Sequence, residues 1–460
     1  MYQAIFMKET SSEQSQPNNE ENGNLAKKKV PNTFRALQHR NFQLFFAGQF
    51  ISLTGTWMQS VAQSWLVYRL TGSVLLLGLI GFASQIPVFL LAPIGGAFAD
   101  RHNRQKILVI TQSAAMITAL AMAILTLTGT IQVWHLFIFA VFFGLANAFD
   151  IPTRQAFVSD MVAKEDLLNA IALNSSMFNG ARIVGPAIAG ILVALVGEGW
   201  CFLGNAVSYL AVIGGILLMK ITPVIRQRKG STLSNIAEGF SFVAKTAPIC
   251  GLLLLLGLIS LMGMPYAVLM PIFADKILVG GSDTLGYLMG ASGIGALAAA
   301  LILASRTEVF GLGRWVSYAS AGLGLSLILF SFSTNFWLSL ILLIPVGFSM
   351  MLQMSSSNTL IQAMVPDELR GRVMSVYSMM FMGMAPLGAL WAGTLAGILG
   401  APLTVAIGGG VCLAGALIFR LRMPKYREEG RQMIIALQMT AGVPASKASF
   451  QPPTLSAEKD

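Results

Sequence analysis

Charged side chains are scarce in this chain. Asp, Glu, Lys and Arg make up 11% of its 460 residues, against roughly 25% in an ordinary soluble domain. So few charges cannot keep a chain that is 55% hydrophobic dispersed in water, which points to a membrane class. Cysteine is nearly absent. Cys201, Cys250 and Cys412 lie within or beside apolar runs, with neither a disulfide framework nor metal-ligand spacing, so packing thiols and no metal are expected. The only histidines, His39, His102 and His135, lie outside the interiors of the apolar runs, which leaves no histidine relay. No Gly-Lys dipeptide occurs, which excludes a phosphate-binding loop and direct ATP hydrolysis. With no nucleophile, metal cluster or carboxylate pair in the apolar runs, neither an enzyme nor a bound cofactor is expected. The polar start of the chain has no apolar stretch ahead of Lys27, Lys28 and Lys29, unlike a signal peptide.

Long apolar runs are abundant. About 20 apolar residues cross a bilayer as a helix, and twelve candidate spans follow one another. They lie near 42–68, 74–98, 106–128, 134–151, 168–196, 200–220, 249–272, 284–305, 313–332, 336–360, 373–398 and 401–421. This predicts an all-α membrane protein of two six-helix bundles. Residues 1–33 form a polar tail, 34–221 the first bundle, 222–248 a linker, 249–423 the second bundle and 424–460 a disordered, proline-bearing tail. In the linker, Arg226, Arg228 and Lys229 precede Leu233, Ile236, Phe240 and Val243. That spacing reads either as an amphipathic helix on the membrane surface or as a plain tether.

Lys and Arg resist translocation and so set orientation. Of the 30 in the chain, all fall in the tails and in loops on one side except Arg69 and Lys276 on the other and Arg182 inside a span. The asymmetry supports an even span count with both termini cytoplasmic, in the inner (plasma) membrane. It also accounts for the net charge of +10 without nucleic acid as a partner.

The chain repeats itself. Residues 161–197 align without a gap on 364–400, matching Met161 to Met364, Glu165 to Glu368, Gly185 to Gly388, Gly190 to Gly393 and Gly197 to Gly400. The fifth span therefore falls on the eleventh, as two equivalent halves require.

Two motifs carry more than hydrophobicity. The second connection reads Gly95-Gly96-Ala97-Phe98-Ala99-Asp100-Arg101-His102-Asn103-Arg104, with Gly96, Asp100, Arg101 and Arg104 at the spacing of the major facilitator signature. Asn103 stands where that family often has Gly and tolerates the same turn. The fifth span contains Gly180-Ala181-Arg182-Ile183-Val184-Gly185-Pro186, where Gly185-Pro186 resembles the antiporter motif of major facilitator exporters. The stretches Glu238-Gly239-Phe240-Ser241-Phe242 and Val365-Pro366-Asp367-Glu368-Leu369-Arg370-Gly371-Arg372 resemble the enterobactin-exporter and macrolide-efflux branch of that superfamily. The likeness covers about residues 34–423. It implies a central site between the halves, alternating access, and export of an amphipathic small molecule in exchange for protons. The first motif would hold the cytoplasmic side shut. The fourth span lacks the Arg that many drug exporters carry.

Polar residues within spans are the candidates for contact with substrate, because each is costly there. Gln49, Ser52, Thr56, Gln59 and Gln63 recur every three or four residues along one face of the first span. They either line the cavity or form a hydrogen-bonded seam with a neighbouring helix. Ser175, Asn179 and Arg182 share a face of the fifth span; Arg182 either meets an anionic group of the substrate or pairs structurally. Tyr377 and Met380 belong to a methionine-rich stretch suited to a permissive pocket or to ordinary packing. Asp150, four residues before Arg154 with Pro152 between, is either the proton-coupling group or half of a static bridge. The expected partners are an amphipathic substrate, protons and the bilayer, for a monomer. An uptake facilitator or symporter is the first alternative, and a membrane receptor or scaffold that transports nothing is the second.

Overall fold

The structure is a computed structural model and describes residues 32–221, 232–304 and 311–440. Apolar runs in a bilayer must satisfy every backbone group internally, which makes each a helix. The first half is α1 (Arg40–Thr71), α2 (Val74–Arg101), α3 (Arg104–Leu127), α4 (Val133–Met161), α5 (Leu167–Val196) and α6 (Glu198–Leu217). A connecting helix, α7 (Thr232–Lys245), follows. The second half opens with one span in two pieces, α8 (Ala247–Leu258) and α9 (Tyr266–Ile272), joined and followed by π-helical turns. It continues with α10 (Ser282–Ala304), α11 (Leu312–Ser331), α12 (Phe336–Met364), α13 (Asp367–Leu399) and α14 (Ala401–Thr440).

Ten of these stretches are both long and apolar enough to cross a membrane. Helices α1 and α11, of 32 and 20 residues, complete the twelve spans with more polar sequences. Large apolar side chains such as Leu195, Trp337, Ile398 and Leu421 are more than two-thirds exposed, as a lipid-facing belt requires.

The repeat carries over to helix boundaries. Helix α4 begins and ends 203 residues before α12, and α5 ends 203 residues before α13. Gly197 and Gly400, one repeat apart, both turn the chain with φ of 89° and 83°, a region open mainly to glycine. Within each half the packing is matched: α1 rests on α5 and α6, α2 on α4, and α3 on α4 and α6, while α10 rests on α12 and α11 on α12 and α14.

Two helix pairs join the halves, α5 with α10 and α2 with α13. Both use glycine against glycine. A Cβ on Gly190 would lie 3.0 Å from the Cα of Gly286, and one on Gly393 would lie 2.8 Å from the Cα of Gly78. Both contacts lie near the membrane face opposite the two tails. At that far side α1 and α2 also pack against α9. On the tail side α4 and α12 are not packed against each other, and Ile171, Ser175 and Phe178 of α5 are exposed. The cleft between the halves is therefore closed on the far side and open toward the tails.

One expectation needs correction. Residues 424–440 are not disordered: α14 runs through Pro424 to Thr440. Its extension packs beneath the second half, with Tyr426 on Gly251 and Gly430 under the Met364 sulfur, and Ile434 buried. The linker is helical from Thr232, and α7 lies along α13 where Gly239 meets the Arg372 carbonyl and Glu238 pairs with Arg372. The basic residues Arg226, Arg228 and Lys229 and the outer parts of both tails lie outside the described residues.

Candidate functional site

At the tail side the connection between α2 and α3 is tied to α4 by one buried cation. The Arg104 side chain is 7% exposed. Its Nη1 donates to both carboxylate oxygens of Asp160 at 3.0 and 2.9 Å and to the Ala156 carbonyl, and its Nη2 donates to Asp100 at 3.2 Å. A two-oxygen contact of this kind is among the stronger charge-assisted bonds. Asp160 was not anticipated from the sequence; it lies 56 residues away with no motif to mark it. Asn103 does not form a left-handed turn. Its φ is −66° and its side chain caps α3 by accepting from the Lys106 N–H. Gly96 is not the point of closest approach either. A Cβ there would reach only Pro152, at 3.7 Å, whereas Gly95 sits directly against the Ala148 carbonyl. Arg101 is exposed.

One turn or more deeper, Asp150 is buried. Its Oδ1 accepts from Gln112 Nε2 at 2.7 Å and Thr111 Oγ1 at 3.1 Å, while Arg154 lies 3.5 Å from Oδ2. Pro152 does not interrupt the helix between them, since α4 is continuous and the pair closes at i,i+4 spacing. The position one repeat later is neutral. Gln353 takes the place of Asp150 and donates to Ser357, which takes the place of Arg154, at 3.4 Å.

The polar stripe of α1 is largely a seam. Gln49, Ser52 and Gln59 are buried. Gln59 accepts from Asn205 of α6 at 2.7 Å, and Thr56 approaches Tyr209 of α6 at 3.4 Å. Gln63 is half-buried. The reason lies in the glycines of the same face. Gly48 and Gly55 bring α6 so close that a Cβ on Gly55 would lie 2.5 Å from Asn205 Oδ1 and Ser208 Oγ. A three- and four-residue spacing specifies a face but not its neighbour.

Helix α5 is different. Ser175 is exposed and Asn179 bonds back to its carbonyl at 2.8 Å. The Arg182 guanidinium lies 5.6 Å from the Trp57 ring centre on α1, within cation–π range. Trp57 meets Phe178 edge-on at 5.8 Å. Gly185 permits this, because a Cβ there would lie 2.5 Å from Trp57 Cβ. Pro186 sits inside a continuous α5, with its carbonyl facing Gly286. In the second half Tyr377 is buried and donates to the Met354 carbonyl at 3.1 Å, and Met380 packs on Gly257. Both pack α13 onto its neighbours.

The far side is sealed by residues the sequence reading passed over. Tyr68 at the end of α1 donates to Asp275 beyond α9 at 2.9 Å, a hydrogen bond between the halves. Next to it Arg69 makes a two-point contact with Glu198, at 2.7 and 3.1 Å, that fastens α1 to the start of α6.

A cleft between two repeated bundles, sealed at one membrane face and open at the other, is the architecture of an alternating-access transporter. The chain belongs to the transmembrane secretion effector family, whose model matches residues 31–441, and it is a multi-pass membrane transporter of the major facilitator type rather than an enzyme. It is similar to a staphyloferrin A transporter of Staphylococcus aureus, 28% identical over 84% of this chain and 97% of that one. It is also similar to a multidrug efflux pump, Tap, of Mycolicibacterium fortuitum, 27% identical over 81% of this chain and 93% of that one. The enterobactin exporter EntS of Shigella boydii is 23% identical over 83% of this chain and 91% of its own. Among solved structures, the nucleoside transporter NupG shares the fold with a TM-score of 0.63 at 15% identity, covering 86% of this chain and 99% of that one. That likeness concerns the fold alone.

Proposed function

We propose that this protein exports an amphipathic small molecule across the inner (plasma) membrane in exchange for protons, as a monomer with both termini in the cytoplasm. The open cleft would then face the cytoplasm and load substrate there. Rocking of the halves about the α5–α10 and α2–α13 joints would release it outside. The export direction is supported by the Gly185-Pro186 motif and by similarity to an enterobactin exporter and a multidrug efflux pump. The orientation is supported by the one-sided distribution of Lys and Arg.

The observation that carries proton coupling is the setting of Asp150. It is a buried carboxylate held by two neutral donors on α3 and one loosely placed cation, 3.5 Å away, on its own helix. In this reading, the shift of α3 against α4 during transport parts these donors from the carboxylate. Ser175, Asn179 and Arg182 line the substrate path. Of the α1 stripe, the half-buried Gln63 would join it. Asp100, Arg101 and Arg104 latch the cytoplasmic side when the halves rock the other way. The test is substrate-induced proton flux in inverted vesicles across siderophores, macrolides and dyes. Export predicts lumenal proton release with the wild type, and Asp150→Asn should bind substrate without releasing protons. Flux that is unchanged in Asp150→Asn would remove Asp150 from coupling and make its contact with Arg154 a static bridge.

A further inference from the structure

Arg182 lies near the middle of α5, 15 residues after Leu167 and 14 before Val196, so roughly 21–22 Å of helix separate it from either end. A cation at that depth costs several kcal/mol unless it is paired or wet. Among the described residues no carboxylate pairs with it and no hydrogen bond engages it; its contact is the face of Trp57. The buried carboxylate of Asp150 has its two oxygens engaged by Thr111, Gln112 and Arg154. A cation–π contact at 5.6 Å uses none of the guanidinium N–H groups and leaves its donors available. Those five N–H groups in a planar fork match a carboxylate at two points.

The surroundings are built rather than incidental. Gly185 locks α1 against α5 beneath Trp57, and Phe178 closes on the ring from the side. Phe178 and Ser175, one and two turns nearer the tails, are exposed and mark the way in. Gly293 of α10 rests 3.3 Å (as a Cβ) from the Arg182 carbonyl, so the backbone that carries the cation sits at a joint between the halves.

We infer that Arg182, stacked on Trp57, is the anion subsite of the cleft, and that the molecules this protein selects carry a carboxylate next to a flat apolar body. This rests on the export reading for its biological meaning but is tested without it. The full-length protein in nanodiscs is titrated with 2-naphthoate and with 2-naphthamide, which has the same shape without the charge. Naphthoate should bind more tightly by about 10- to 150-fold, the worth of hydrogen bonds to a charged group. Arg182→Gln should erase that preference, Arg182→Lys should keep part of it, and Trp57→Leu should weaken both ligands. If Arg182→Gln does not fold, the wild-type preference and the Arg182→Lys result decide. Equal binding of the two ligands, no binding of either, or a preference that survives Arg182→Gln would overturn the inference. Proton flux measured in vesicles from the same preparation reads the export proposal separately, so either can fail alone.

Discussion

Replacing Gly190 with alanine places a methyl group where the two halves touch. Its carbon would lie 3.0 Å from Gly286 Cα, 3.1 Å from the Ser282 carbonyl oxygen and 3.2 Å from that of Asp283. Carbon contacts are comfortable at about 3.5–4.0 Å, so α5 and α10 must separate there by roughly 0.5–1 Å. All three neighbours are backbone atoms, and no side-chain rotation can relieve the clash. Overpacking of this kind costs about 1–3 kcal/mol. The cost falls on the arrangement in which the far-side ends are together and vanishes when they part. The equilibrium should therefore move toward the far-side-open form by about 5- to 150-fold. Gly393→Ala, one repeat later, should act in the same direction through Gly78 Cα at 2.8 Å. Spin labels at Thr130 and Thr334, exposed positions in the far-side loops of the two halves, report the separation once Cys201, Cys250 and Cys412 are replaced. Gly397→Ala is the control, because nothing lies within 4 Å of a Cβ there. An unchanged distance distribution in Gly190→Ala, or an equal change in Gly397→Ala, would refute the reasoning.

Three further outcomes follow from the same contacts. Asp160→Ala leaves Arg104 buried with only Asp100 and a carbonyl, and should destabilise the first half by about 3–5 kcal/mol; an unaltered melting temperature in detergent would contradict this. Tyr68→Phe removes one hydrogen bond to a carboxylate from the far-side seal, worth about 1.5–3 kcal/mol. It should lengthen the Thr130–Thr334 distance to an extent comparable with Gly190→Ala, and an unchanged distance would mean that this bond does not hold the far side shut. Gly55→Leu forces a side chain into Asn205 and Ser208 and should abolish folded monomer on size-exclusion chromatography, whereas Gly214→Leu, facing open space, should not.

Much of this fold was legible because the bilayer simplifies the reading. Length and apolarity alone mark a span, and an ungapped repeat carried the match from the ends of α4 to the turn at Gly400. What was hidden is which neighbour each face meets. The α1 stripe has the spacing of a cavity lining, yet Gly48 and Gly55 on the same face draw α6 onto it. The extension of α14 was hidden by the polar, proline-bearing composition of the tail it belongs to. Met423, Tyr426, Gly430 and Ile434 lie three and four residues apart, which is the one signal that could have revealed a buried face. Long-range polar pairs such as Arg104 with Asp160 and Tyr68 with Asp275 leave no local pattern. They depend on helices brought together by the fold.

The repeat also separates what the architecture needs from what only one half has. Helix α12 repeats α4 end for end, and at the matched positions it holds Gln353 and Ser357 in an i,i+4 hydrogen bond where α4 holds Asp150 and Arg154. A neutral pair is thus sufficient for a helix in this position. The two bundles differ in their other neighbours, so the comparison becomes decisive only when the neutral pair is moved. The double substitution Asp150→Gln with Arg154→Ser transfers the second half's solution to the first. Removing both charges together avoids stranding either one, which is where the large penalties for broken buried pairs arise. The variant should fold with a melting temperature near that of the wild type, and it should bind substrate without moving protons. Loss of folding would mean that α3, through Gln112 and Thr111, requires a carboxylate to pack against, and the charge at Asp150 would then be part of the scaffold.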